Sequence, residues 1–228
     1  MKRVIRVIVR AFCLVLCMGG AWAGIVGDTN PGHFVGPTVD WCQNFGCSND
    51  YTEYPTPQAW VASDGVHTGT VGLVDTQQGF YNLQDGTSWN GAFSSGMGLV
   101  YNGASFGNTP ADIAVTFDQG ETGVGAYIQA NFFGPFTAAI TLYDINYQPL
   151  GTFETTGTSS YAPGTALFLG AWADTAGEVY AAQFDVVDQF GNDDFAIGEV
   201  LTTPEPASMG LIGAGLLGLV ALARRRRS

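Results

Sequence analysis

Lysine and arginine are missing from nearly the whole chain. All eight lie in the first ten or the last five residues. Between them only His33 and His67 can take a positive charge on a side chain. Of the 20 acidic residues only Glu205 lies outside Gly24 to Thr203, which leaves 19 carboxylates facing no lysine or arginine. Salt bridges other than to histidine are therefore impossible in that stretch. A phosphate-cradling loop of the P-loop kind is excluded too, because it needs a lysine. Such a polyanion repels nucleic acids and anionic lipid headgroups, so neither is an expected partner. Cysteine is also scarce, with four in all and two of them, Cys13 and Cys17, near the start. Nor does any stretch from Gly24 to Thr203 keep a 3.6-residue apolar period over three turns, which argues against a helical body. Disorder is excluded by the abundance of aromatic and β-branched residues.

What basic charge there is marks the two ends. A basic stretch from Met1 to Arg10 precedes an apolar run from Ala11 to Gly20, and Ala21-Trp22-Ala23 places small residues where a signal peptidase cuts. Residues 1–23 read as a secretory signal cleaved after Ala23; ten apolar residues are too few to span a bilayer. At the other end Pro204-Glu205-Pro206 leads into Ala207 to Ala223, an uncharged run, and then Arg224, Arg225, Arg226 and Arg227. A helix over 207–223 would reach roughly 25 Å, enough for a thin hydrocarbon core. The arginines would hold that end in the cytoplasm and leave everything upstream outside. By this physics alone the segment is a tail anchor or a sorting signal.

The order Pro204-Glu205-Pro206, Gly- and Leu-rich span, arginine cluster resembles the PEP-CTERM sorting signal of exopolysaccharide-producing Gram-negative bacteria. That resemblance implies recognition by an exosortase, cleavage near Pro204-Glu205-Pro206, and delivery from an inner-membrane-anchored precursor to the cell surface or beyond. The membrane is then a partner only through the C-terminal helix before processing.

The processed body is one domain in size. Ile113, Val115 and Phe117 alternate with Asp112, Ala114 and Thr116 as in a half-buried strand, and Asp118-Gln119-Gly120-Glu121 reads as a turn. Val124, Ala126 and Ile128, then Ala138, Ile140 and Leu142, alternate again. Further strands are expected over 66–74, 79–83, 97–102, 150–155, 166–172, 179–187 and 195–200. Short strands punctuated by glycine predict an all-β fold, an antiparallel β-sandwich or jelly roll over 63–203. Residues 24–62, richer in Pro, Asn and Gly, read as an extended arm fastened by a Cys42–Cys47 disulfide, the default for an exported pair. The body also resembles a lectin-like module of other PEP-CTERM proteins, through Trp89-Asn90-Gly91, Gly125 to Gly134, Leu142-Tyr143-Asp144 and Asp193-Asp194-Phe195-Ala196-Ile197. That resemblance implies a jelly roll and carries no functional residue.

No catalytic residue is expected. Gly103-Ala104-Ser105-Phe106-Gly107 fits G-x-S-x-G, but no helix and no histidine follow it, so a hydrolase elbow is not formed. Paired carboxylates can cleave glycosides, yet 19 acids guarantee that some pair lies close. Asp188, Asn192, Asp193 and Asp194 cluster before the last strand and offer the oxygens that Ca²⁺ prefers; a solvated turn satisfies the same residues equally well. Trp89, flanked by Asp85, Ser88 and Asn90, is the candidate sugar platform, with Asp85 and Asn90 as hydrogen-bonding neighbours. Packing in the core is the competing use for any tryptophan. The sum is an exported, non-enzymatic surface or matrix protein associating with extracellular polysaccharide, with Ca²⁺ available to bridge its carboxylates to acidic glycans. A purely structural role and a glycoside-active enzyme are the alternatives.

Overall fold

The computed structural model describes residues 24–47, 51–188 and 190–204. Ala23, Glu205, Pro206, the expected membrane helix at 207–223 and Arg224 to Arg227 lie outside the described residues. Among the described residues no helix is long and apolar enough to cross a membrane.

Among the described residues thirteen strands follow in order: β1 (Ile25–Asp28), β2 (Thr38–Val39), β3 (Thr52–Tyr54), β4 (Gln58–Val61), β5 (Thr68–Leu73), β6 (Phe80–Gln84), β7 (Gly98–Tyr101), β8 (Ile113–Ala130), β9 (Gly134–Tyr143), β10 (Pro149–Ser159), β11 (Leu167–Ala173), β12 (Val179–Asp188) and β13 (Phe195–Pro204). A short helix, α1 (Trp41–Phe45), is capped by the Asp40 side chain, which accepts from the Cys42 backbone N–H at 2.8 Å. The Cys42–Cys47 disulfide closes over its end.

The fold is an all-β antiparallel sandwich, and β8 explains how. Its first half pairs with β5 and β12, from Ile113 to Phe117. Its second half, Gly123 to Ala130, pairs instead with β11 and β13. One layer therefore runs β10-β9-β12-β8-β5-β4, and the other β1-β11-β8-β13-β7-β6-β3, with β2 beside the far end of β13. A strand that changes sheets makes the corner of a sandwich. The expected turn at Asp118 to Glu121 is thus a bend inside one continuous strand, where turn-forming residues relieve the change of direction without breaking it.

Residues 24–62, expected as an extended arm, are woven into both layers through β1 to β4. These strands hold two to four residues each, too few for alternation to show in sequence. The alternation elsewhere sorts side chains as the period of two requires. Val115, Ile128, Ile140, Phe184 and Ile197 fill the space between the layers with Trp41 and Trp60. From the second layer Leu83, Leu99, Tyr101 and Ala196 point the other way, into a smaller cluster closed by Trp89 and Phe93. Trp172 is half-buried on the outer face beside Phe34, ring centroids 5.5 Å apart.

Candidate functional site

On that outer face the segment between β6 and β7 folds over the sheet and leaves a groove of about 300 Å³. Five loop segments and two strands build it. Tyr51 comes from the segment after the disulfide, Leu83 and Tyr101 from β6 and β7, and Ser88, Trp89 and Asn90 from the covering loop. Phe106 comes from a single 3-10 turn at Ala104–Phe106, Asn131 and Phe133 from the β8–β9 hairpin, and Tyr161 from the loop after β10. The aromatic rings hold one another edge to face: Tyr51 on Phe106 at 4.9 Å, Phe106 on Tyr101 at 5.5 Å, and Tyr101 tilted on Trp89 at 5.4 Å. Phe133 and Tyr161 form the facing wall, 3.9 Å between centroids. Tyr51 and Tyr161 are more than half exposed. Large apolar rings left in water at a concave site, with amide and hydroxyl groups between them, are the equipment of a small-ligand pocket.

Of the residues expected here, Trp89 and Asn90 line the groove and Asp85 does not. Trp89 is only 7% exposed. Its indole N–H is turned inward, donating to Gln129 Oε1 at 3.4 Å, so it offers the groove a ring edge and no polar handle. Gln129, itself buried, is the hub beneath the loop. Its Oε1 also accepts from the Ala92 N–H at 2.7 Å, and its Nε2 donates to Ser159 Oγ at 2.7 Å and the Ser160 carbonyl at 3.1 Å. Asp85 sits buried behind the loop, where desolvation raises its carboxyl pKa against the hydrogen bond from the Gly91 N–H. Sequence reasoning misses Tyr51, Phe106, Phe133 and Tyr161. Their shared mark is an aromatic ring inside a Gly-, Pro- or Asn-rich turn, where no core strand runs.

The four residues expected around calcium do not converge. Asp188 closes its own turn: its carboxylate accepts from the Phe190 N–H at 2.7 Å, the Asn192 N–H at 2.9 Å and Asn192 Nδ2 at 3.1 Å. Burial would push its pKa up, but these hydrogen bonds outweigh it and hold the carboxyl low. Asp194 is buried on the other side of the chain, accepting from Asn131 Nδ2 at 3.1 Å. Of the four only Asp193 joins a cluster of three carboxylates, and its two partners there are unexpected ones. Asp112, Asp185 and Asp193 bring oxygens within 4.8 Å of one another, and Gln183 Nε2 donates to Asp112. Asp112 and Asp193 line a second cavity of about 350 Å³, whose walls are Val74, Asp75, Thr76, Thr109, Pro110, Ala111 and Gln183. An oxygen-only set of this kind suits a hard cation.

Burial, then the neighbouring Asp185, Asp112 and Asp194 charges, push Asp193 up to about 7. The folded state then holds a proton that an unfolded Asp releases near pH 4, so stability falls as pH rises through that window. Asp193→Asn removes the penalty. Discounted for partial exposure, it is expected to raise stability by about 1–2 kcal/mol at pH 8 and by nothing resolvable at pH 4. Thermal unfolding at the two pH values checks this; equal shifts at both would mean that Asp193 ionises normally.

Among curated proteins none matches the chain. In fold it is similar to the crystal structure of a DUF4465 family protein from Bacteroides caccae, with 10% identity, a TM-score of 0.41, and 73% of this chain and 99% of that chain covered. It is also similar to CsCBM6-3 from Clostridium stercorarium in complex with cellobiose, at 14% identity and a TM-score of 0.31 over 51% of this chain and 83% of that one. A third similar structure is the carbohydrate-binding module CBM6cm-2 from Cellvibrio mixtus lichenase 5A in complex with cellotriose, at 9% identity and a TM-score of 0.25 over 73% and 95%. These likenesses carry no residue across. Residues 202–227 match the PEP-CTERM protein-sorting motif, so the chain carries the sorting motif of exported proteins that are anchored in the membrane before processing.

Proposed function

We propose that this protein is an exosortase-processed component of the cell surface or extracellular matrix, and that its groove holds polysaccharide without cleaving it. The observation that carries this is the aromatic groove itself: two ring-lined walls with Ser88, Asn90 and Asn131 between them. Sugar rings present apolar C–H faces and a rim of hydroxyls, which such walls match by stacking and by oriented hydrogen bonds. Signal peptidase removes residues 1–23 in this reading, and exosortase cuts near Pro204-Glu205-Pro206. Strand β13 runs as far as Pro204, so such a cut leaves the sandwich whole. Mass spectrometry of the exported protein tests the sorting half: termini at Gly24 and near Pro204 agree with it, and a chain still ending at Ser228 does not.

Tyr161 tests the binding half, being 65% exposed and dispensable to the core. Tyr161→Ala is expected to weaken retention by an immobilised polysaccharide about five- to thirty-fold, the worth of about 1–2 kcal/mol of lost stacking. Unchanged retention would remove the groove from the account.

The Asp112, Asp185 and Asp193 cluster favours a second reading, glycoside hydrolysis, since retaining hydrolases place two carboxyls about 5–5.5 Å apart. Among the described residues, however, no aromatic ring lines its cavity to seat a sugar. Release of reducing ends by the protein, abolished by Asp193→Asn, would establish that reading in place of the first.

A further inference from the structure

The groove's electrostatics point to the class of glycan it takes. No charged side chain lines it among the described residues. No lysine or arginine exists between residues 24 and 203 to meet a carboxylate or a sulfate. The two histidines are engaged elsewhere, His33 with Asp28 and His67 with Asp64, both at 2.5 Å. A carboxylate close behind the groove has the wrong sign for an anion: Asp194 lies one hydrogen bond behind the wall, accepting from Asn131 Nδ2. Beyond it the whole body carries a large excess of negative charge.

A uronate or sulfated chain entering the groove would lose hydration with no cation in return, in a field that already repels it. An uncharged chain meets neither cost. We infer that the groove selects neutral polysaccharides and excludes acidic ones. This rests on the groove reading above and narrows it. It also reverses the expectation that the carboxylates serve to bridge acidic glycans through calcium.

The experiment uses the protein as exported, in a chelating buffer, on matched pairs of polymers: hydroxyethyl- against carboxymethyl-cellulose, and dextran against dextran sulfate. Each is run by affinity electrophoresis at low and high salt. The expected result is retention by the neutral member of a pair at least about tenfold stronger than by the charged member at low salt. The gap should narrow as salt screens the field, while Tyr161→Ala weakens neutral retention about five- to thirty-fold. Asn90→Lys, at an exposed groove position, should raise retention by the charged member about threefold or more. Charged chains held as well as neutral ones, with Tyr161→Ala still weakening both, would overturn the neutral-glycan inference and spare the groove. An Asn90→Lys protein that retains charged chains no better than wild type would overturn it in the same way. Retention by no member of any pair would overturn the groove reading and this inference together.

Discussion

Gln129→Leu is expected to destabilise the protein by about 3–5 kcal/mol, a fall of about 10 °C in unfolding temperature, and to abolish retention in the groove. Leucine nearly matches glutamine in volume, so packing is not the reason. The loss is of partners: the buried Ala92 N–H, Trp89 indole N–H and Ser159 Oγ each give up a hydrogen bond, and the part-buried Ser160 carbonyl loses a donor. An unmet buried polar group costs about 1–3 kcal/mol, and several in one network do not add simply. Trp89 is then no longer held against Tyr101, and the wall built on that contact goes with it. Gln129→Glu separates the polar account from a packing one. Protonated, it can still accept at one oxygen and donate at the other; ionised, it is a buried charge in a body without lysine or arginine. It should therefore unfold close to wild type at pH 4 and well below it at pH 8. A mild Gln129→Leu, or a Gln129→Glu indifferent to pH, would show that the glutamine merely fills space.

That network could not be read in advance, because its members are far apart in the chain and its hub looks like any polar residue on a strand. What was legible had local causes. Alternation over Ile113 to Phe117 and Ala138 to Leu142 gave β8 and β9 their inward faces, since a period of two shows within five residues. The Cys42–Cys47 pair was legible because only two cysteines remain in the body. The joining of two expected strands into β8 was not, for Asp118-Gln119-Gly120-Glu121 has the composition of a turn and only the pairing partners reveal a bend. The cluster around Asp193 escaped for a related reason: its neighbours Asp185 and Asp112 come from β12 and the segment before β8. Adjacent carboxylates in sequence, such as Asp193 and Asp194, are sent to opposite sides by an extended backbone. The tryptophan beside polar residues did mark the right loop, while the rings that face solvent there come from three other loops and the post-disulfide segment.

The bend in β8 carries the remaining large effect, because it is where one strand serves two layers. Gly120 lies in it, and a Cβ added there would sit 2.0 Å from the carbonyl oxygen of Gly177, in the turn before β12. That contact is backbone against backbone, so no side chain can swing away to relieve it. The Gly177 turn is pinned in its own right, its N–H donating to Thr122 Oγ1 at 3.3 Å and its φ at +73°. Gly120→Ala must therefore push β12 away from β8 or straighten the bend, and each disturbs a fully buried part of the sheet, with Glu121 and Val179 at 0% exposure beside it. The expected cost is about 2–3 kcal/mol, seen as a fall of about 5–10 °C in unfolding temperature. The groove residues lie elsewhere on the fold, so the folded fraction should still hold polysaccharide with unchanged affinity. Unfolding within a degree of wild type would mean that the Gly177 turn yields freely and that the layers do not depend on this close approach.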